Sequence, residues 1–215
     1  MIIASDLNGT LTTGAPALAV TEWIKTHQPD SYPWLYKYRL LLSYLQVKLD
    51  WISIDTWADK ILREVISLVQ SPDQDILNSI MEYVVESELW PKRRVNVVEL
   101  LQEYHQQESE IIIVSAAYEP AVEVFAKRIA KDRTFGIGTP VILSENGLTL
   151  AENLTVRDQK LKRIRDLIGP RQLDVAMGDT ASDIPLLEQS NEPIAVYPDQ
   201  KLRTVAESRA WKIIE

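Results

Sequence analysis

The chain has 215 residues, with 31 Asp and Glu against 23 Lys and Arg, a formal net charge of −8, and no cysteine. That length buries a sizeable core and suits one domain, or one domain carrying an insertion. The acidic balance argues against a broad nucleic-acid-binding face, which is built from Lys and Arg, and the missing cysteines exclude a disulfide framework and thiol chemistry.

The first residues, Met-Ile-Ile-Ala-Ser-Asp, hold no basic segment and no long apolar stretch, so no secretory signal is read and a cytoplasmic protein is expected. The glycosylation patterns at Asn8-Gly9-Thr10 and Asn153-Leu154-Thr155 then carry no weight. The apolar run Ile2-Ile3-Ala4 ends at Asp6 and reads as a buried strand over residues 2–6. Residues 15–90 show helical periodicity and no convincing strand. A short stretch near 16–27 comes first, then a stripe of Leu35, Tyr38, Leu42, Leu45 and Leu49, then another of Trp57, Ile61, Val65 and Leu68. Ser71-Pro72-Asp73-Gln74-Asp75 offers an N-cap, a first-turn proline and early acids ahead of an apolar face of Ile76, Leu77, Ile80, Met81, Val84 and Val85. The aromatics and leucines between 32 and 51 suggest a membrane segment at first sight. Lys37, Arg39 and Lys48 interrupt it, and a span needs about 20 mostly apolar residues. The stripe is expected to be core of the helical unit, ahead of a lipid-like substrate surface or a dimer contact.

From about residue 91, strand-like and amphipathic helical runs alternate, the pattern of a doubly wound α/β fold. In order they are helix 95–107, strand 110–115, helix 119–131 with Pro120 in its first turn, strand 140–143 and a turn at Glu145-Asn146-Gly147. Helix 157–168 closed by Gly169-Pro170, strand 173–177, helix 182–189, strand 194–196, helix 199–208 and strand 211–214 complete the set. The expected architecture is a doubly wound, mostly parallel Rossmann-like sheet core, residues 1–14 and 91–215, with an inserted all-helical cap of four helices, residues 15–90. In such a sheet the strand ends carrying Asp6 and Asp179 lie side by side, and ligands bind in the crevice they form. Carboxylates gathered there repel unless a positive group intervenes, and a hard divalent cation such as Mg²⁺ takes oxygen ligands of this kind.

Asp6-Leu7-Asn8-Gly9-Thr10-Leu11-Thr12, Ser115 closing the strand Ile111-Ile112-Ile113-Val114, a basic residue near 160, and Gly178-Asp179-Thr180-Ala181-Ser182-Asp183 resemble, in order, the four motifs of the haloacid dehalogenase superfamily. The nearest resemblance is to its phosphoserine-phosphatase-like branch. It implies a Mg²⁺-dependent phosphohydrolase in which one oxygen of Asp6 attacks phosphorus while the other binds the metal. The Asn8 carbonyl and Asp179 are implied as further metal ligands, with Asp183 holding Asp179 or a metal-bound water. Gly9 permits a tight backbone path to a phosphate, and Thr10 adds a hydroxyl. Ser115, with neighbouring backbone N–H groups such as that of Ala116, and Lys160 are implied to bind the phosphoryl oxygens. Lys160 is favoured because Ile164 and Leu167, four and seven residues on, reproduce the family's spacing; Arg157 and Lys162 are the alternatives. His27 and His105 are read as surface residues without a partner at metal spacing.

Asn8 departs from the pattern. The family's phosphatases carry an aspartate there that protonates the leaving oxygen and later activates water; an amide cannot carry the proton, at a cost of about 10² to 10⁴ in rate. That leaves open a slow or atypical phosphatase, an engineered change that traps a ligand, and a protein that binds phosphate compounds without turnover. Dehalogenation of a 2-haloacid also stays open by analogy, although the Gly-Asp-x-x-x-Asp motif argues for phosphate chemistry. The expected partner is a small phosphorylated metabolite, with no nucleic acid and no membrane, for a monomer or homodimer.

Overall fold

Strand β1, Ile2–Asp6, is buried along its whole length, as a central strand of a sheet covered on both faces must be. Its side chains divide by the two-residue period of a strand: Ile3 joins one apolar cluster, Ile2 and Ala4 another on the opposite face. The computed structural model describes residues 1–49, 51–52, 54–145, 147–152, 154–156 and 158–215. Asn146 of the anticipated turn, Asn153 of the glycosylation pattern and Arg157, one alternative site cation, lie outside the described residues.

After β1 come helices α1 (Pro16–His27), α2 (Tyr36–Lys48), α3 (Ile54–Ile66) and α4 (Gln74–Val84), the last running on through a π turn at Val85–Leu89. Then follow α5 (Val95–Gln106), β2 (Glu110–Tyr118), α6 (Glu119–Ile129), β3 (Thr134–Thr139), β4 (Val141–Ser144), β5 (Gly147–Leu150), α7 (Asp158–Ile168) and β6 (Leu173–Gly178). A 3-10 turn at Ala181–Asp183, α8 (Ile184–Leu187), β7 (Ser190–Val196), α9 (Gln200–Ser208) and β8 (Lys212–Ile214) close the chain. The sheet runs β3-β2-β1-β6-β7-β8 with every neighbour parallel, the doubly wound α/β fold expected from the alternation of elements. One face carries α5 and α6, and the other carries α7, α8 and α9. The apolar residues of α1, α3 and α4 merge with the α5–α6 face into one continuous core, in which Trp23, Ile24, Val65 and Ile80 share a cluster with Ile3, Leu7 and Phe125.

Four sequence expectations change. The segment 140–143 is not a strand of the main sheet: β4 and β5 form a separate antiparallel hairpin, and the third strand of the parallel set is β3. Gly136 and Gly138 hide β3 from an apolar-pattern reading, since glycine weakens strands. They are there because α6 crosses β3 so closely that a Cβ on Gly136 would stand 2.5 Å from Glu123 Cα, and one on Gly138 2.4 Å from Glu119 Cα. Helix 182–189 is instead the 3-10 turn and short α8. The cap of α4 is Asp73, whose carboxylate accepts from Ile76 N at 2.8 Å; Ser71 and Pro72 precede it. Last, the stripe Leu35, Tyr38, Leu42, Leu45 and Leu49 is not core: all five are exposed, and among the described residues α2 gives the core Tyr36 and, in part, Leu40. The leucine spacing is helical, as read, but periodicity marks only a shared face and not which face turns inward.

Among the described residues no helix is long and apolar enough to cross a membrane. A side chain at Gly136 must push α6 off β3, so Gly136→Val should lower the unfolding free energy by about 1–3 kcal/mol, read as a shift in the denaturant midpoint. An unshifted midpoint would contradict the close crossing.

Candidate active site

Register alone brings the site together. Asp6 pairs with Val114 and Ser5 with Met177, so the strand ends of β2, β1 and β6 lie in line, and Ser115, Asp6 and Asp179 emerge from three adjacent strands. The chain then turns sharply: Gly9 N donates to Thr12 O at 2.7 Å, with Gly9 at φ 93, where glycine alone is unstrained. A Cβ on Gly9 would lie 1.9 Å from an Asp179 oxygen, so the glycine admits that carboxylate as well as the turn.

Lys160 is buried on α7 and reaches across the strand ends, its Nζ donating to Asp6 Oδ1 and Asp183 Oδ1, both at 2.6 Å. Burial by itself pulls the lysine pKa down, but Asp6 and Asp183 override this and hold it above its ordinary value, so the side chain is a firm cation. Lys162, the alternative, points to solvent. Asp183 is saturated: its second oxygen accepts from the backbone N–H of Asp179 and Thr180 and from the Thr180 hydroxyl, at 3.2–3.3 Å. It therefore shapes the loop that presents Asp179.

Thr10 Oγ lies 3.2 Å from Asp6 Oδ2 and 3.0 Å from Asp179 Oδ1, with one proton to give. Burial pushes the Asp6 carboxyl up to about 6, Lys160 restraining the rise and Asp183 adding to it. Burial, with Asp6 and Asp183 beside it, pushes Asp179 up to about 8. Oxygens of Asp6, Asp179 and Asp183 lie within 4.8 Å of one another, Lys160 pairs with two of the three carboxylates, and Asp179 pairs with no cation among the described residues. That uncompensated oxygen cluster suits a hard divalent cation.

Asn8 is held at both ends of its amide: Nδ2 donates to Gly14 O, and Oδ1 accepts from Ser115 Oγ, each at 3.0 Å. Ser115 Oγ in turn accepts from Ala117 N at 3.2 Å, and Ala116 O accepts from Thr139 Oγ. Asp6, Asn8, Ser115, Ala116, Lys160, Asp179 and Asp183 thus line one cleft of about 800 Å³, while Gly9 and Thr10 are not part of its lining. His27, stacked on Trp23, and His105, against Asp132, are elsewhere. Sequence reading missed Arg94, whose Nε donates to Gly9 O at 2.8 Å while its guanidinium lies 3.7 Å from the Tyr197 ring centre, pinning the turn after Asp6. The signal available was the basic run Lys92-Arg93-Arg94, just where the chain returns from the helical insertion.

A sequence profile described as haloacid dehalogenase-like hydrolase matches residues 3–188. A curated protein of Streptomyces azureus, "Inhibition of morphological differentiation protein", is 30% identical over 122 residues; the match spans 54% of this chain and 43% of that protein, under half its length. A protein of unknown function from Bordetella pertussis Tohama I superposes with a TM-score of 0.79 at 16% identity, over 100% of this chain and 97% of its own. A substrate-bound phosphoserine phosphatase superposes with a TM-score of 0.60 at 16% identity, over 100% and 92%. At those identities the two structures testify to the fold.

Removing the cation leaves two buried carboxylates facing each other. Lys160→Met should therefore cost about 3–5 kcal/mol of stability in chelator, measured by urea unfolding. A parent-like midpoint would mean the pairs are solvated.

Proposed function

The chain belongs to the haloacid dehalogenase-like hydrolases, and on that premise we propose that it is a Mg²⁺-dependent phosphohydrolase of a small phosphomonoester, working through an aspartyl-phosphate on Asp6. The observation that carries this reading is the setting of Asp6: a buried carboxylate lining the cleft, oriented by Lys160 and Thr10 and flanked by Asp179, with Ser115 lining the same cleft. Asp6, the Asn8 carbonyl and Asp179 would hold the metal, with Asp183 in support. When bound it would neutralise charge on the phosphoryl oxygens.

An oxygen of Asp6 attacks phosphorus, the bond from phosphorus to the ester oxygen breaks, and the departing oxygen takes a proton. Water then cleaves the aspartyl-phosphate, releasing phosphate and regenerating Asp6. Lys160 contributes a fixed positive charge next to the reacting carboxylate, where it costs no reorganisation during the step. Asp6→Asn should abolish turnover while leaving the fold intact; a soluble Asp6→Asn protein hydrolysing at the parent rate would overturn the mechanism. Asp179→Ala should weaken Mg²⁺ binding by calorimetry, by about tenfold or more, and equal affinity would remove that ligand.

The weak point is the proton. The Asn8 amide gives one of its two N–H groups to Gly14 O and cannot ionise, so it has no proton to transfer and the departing oxygen must be protonated from solvent. The same contact tells what an aspartate would do there: an oxygen in place of Nδ2 faces the Gly14 carbonyl, an arrangement that favours the protonated carboxyl, which is the form a general acid needs. Asn8→Asp should thus raise turnover by about 10² or more on esters with poor leaving groups and least on p-nitrophenyl phosphate, whose nitrophenolate leaves unprotonated. Asn8 also favours a second reading, a phosphate-binding protein without turnover. No phosphate adduct on Asp6 by mass spectrometry, together with no gain in Asn8→Asp, would select it.

A further inference from the structure

Away from Asp6 the cleft changes character. Its outer walls include Leu18 of α1, Leu40 and Leu41 of α2, Ile61 and Leu62 of α3, and Ala117 of β2. The charged side chains on those walls, among the described residues, are Glu22 and Lys25, which pair with each other at 2.5 Å. A leaving group carrying a carboxylate or an ammonium would find no uncommitted counter-charge there, and burying an unpaired charge is costly. An apolar leaving group would meet matching walls.

Those walls do not end at the rim. Leu41 lines the cleft and also opens a stripe on α2 with Leu42, Leu45 and Leu49, at the spacing of one helix face, and these four leucines are 46–64% exposed. Trp34 and Trp51, 77% and 72% exposed, stand at the two ends of the same segment. Four exposed leucines on one helix face, continuous with the cleft lining, mark a binding surface. Its local charge also runs against the net charge of −8: residues 32–51 hold Lys37, Arg39 and Lys48 against Asp50 alone, with Arg39 paired to Glu64 of α3. An anionic amphiphile meets less repulsion here than the overall charge of the protein would impose.

The geometry points to a phosphomonoester of a long apolar alcohol as the substrate, its phosphate at Asp6 and Lys160 and its hydrocarbon chain running out between α1, α2 and α3 onto the face of Leu41, Leu42, Leu45 and Leu49. This rests on the phosphohydrolase reading above. Hydrolysis adds water and yields the free alcohol and inorganic phosphate.

The test is a homologous series of n-alkyl phosphates, butyl to dodecyl, kept below micelle-forming concentrations and assayed with the full chain and Mg²⁺, alongside phosphoserine. The matching alkyl phosphonates, which cannot be hydrolysed, are titrated by calorimetry. Each added methylene should raise kcat/KM, and tighten phosphonate binding, by about fourfold until the chain outruns the apolar face. Leu41→Asp combined with Leu45→Asp should flatten both series; these positions are exposed, so the melting midpoint should stay near the parent's, and Leu42→Ser with Leu49→Ser serves if it does not. A second arm presents dodecyl phosphate in phosphatidylcholine vesicles. Hydrolysis in either arm with the expected chain-length dependence supports the proposal, the vesicle arm identifying a membrane and the dispersed arm a free amphiphile as the source. Turnover that is flat with chain length, or fastest on phosphoserine, overturns it and leaves the phosphohydrolase standing. Chain-length-dependent phosphonate binding without any turnover overturns the substrate assignment together with the phosphohydrolase and leaves only an apolar binding face. A flat series from a protein that sediments as a dimer, broken by the same leucine changes, would assign the face to a second copy and overturn it.

Discussion

The buried ammonium of Lys160 is the interaction on which the rest of the site depends. Taking such a charge out of water costs several kcal/mol, and the cost is offset only because carboxylates on two different segments, Asp6 at the end of β1 and Asp183 beyond β6, each meet it at 2.6 Å. The pairing ties α7 across the strand ends and sets the distance between the two acidic loops. It also leaves a remainder. The one cation pairs directly with Asp6 and Asp183 and reaches Asp179 only weakly and at a distance, so burial pushes that carboxyl far above its usual range. The excess negative charge that makes the cluster suited to a metal is thus a consequence of where the lysine is committed.

Around that pair the backbone is fixed by contacts that have little chemistry of their own. Arg94 holds the Gly9 carbonyl while resting on Tyr197, and Thr12 Oγ donates to Leu89 O, so the loop after Asp6 is fastened where the helical insertion returns to the sheet. Gly178 serves the same end. A Cβ there would stand 2.4 Å from that of Asp183, and only a bare backbone lets Asp183 fold back on its own loop. Asn8 belongs to this framework as much as to the cleft, since its amide joins Gly14 to Ser115.

The helical insertion packs into the same apolar cluster as the α5–α6 face of the sheet, so most of its hydrophobic surface is spent on holding it in place. Helix α2 is the exception, burying Tyr36 and part of Leu40 and leaving its leucines outward. On the proposed function, an apolar face next to a polar reaction centre would divide the labour, the metal-loaded carboxylate end taking the phosphate and the outer walls the hydrocarbon.

Strand β1, the helical stretch after it, the α/β alternation and the acidic clusters were legible in the sequence because local spacing encodes them: period two for strands, 3.6 for helices, and acids placed directly after apolar runs. The residues of the site were legible as residue types in an order. Their partnerships were not. Lys160, Lys162 and Arg157 occupy similar sequence surroundings, and only the turn of α7 sends Lys160 inward while Lys162 meets solvent. Strand β3 was hidden since its glycines answer to α6, a neighbour that local pattern does not contain. The leucine stripe of α2 has the same period whether it faces the core or the solvent. The sequence by itself determined which residues form each element and which share a face. Which face is buried, which lysine is paired and which carboxylate is left over were decided by tertiary packing, because burial and charge pairing are properties of neighbours distant in the chain.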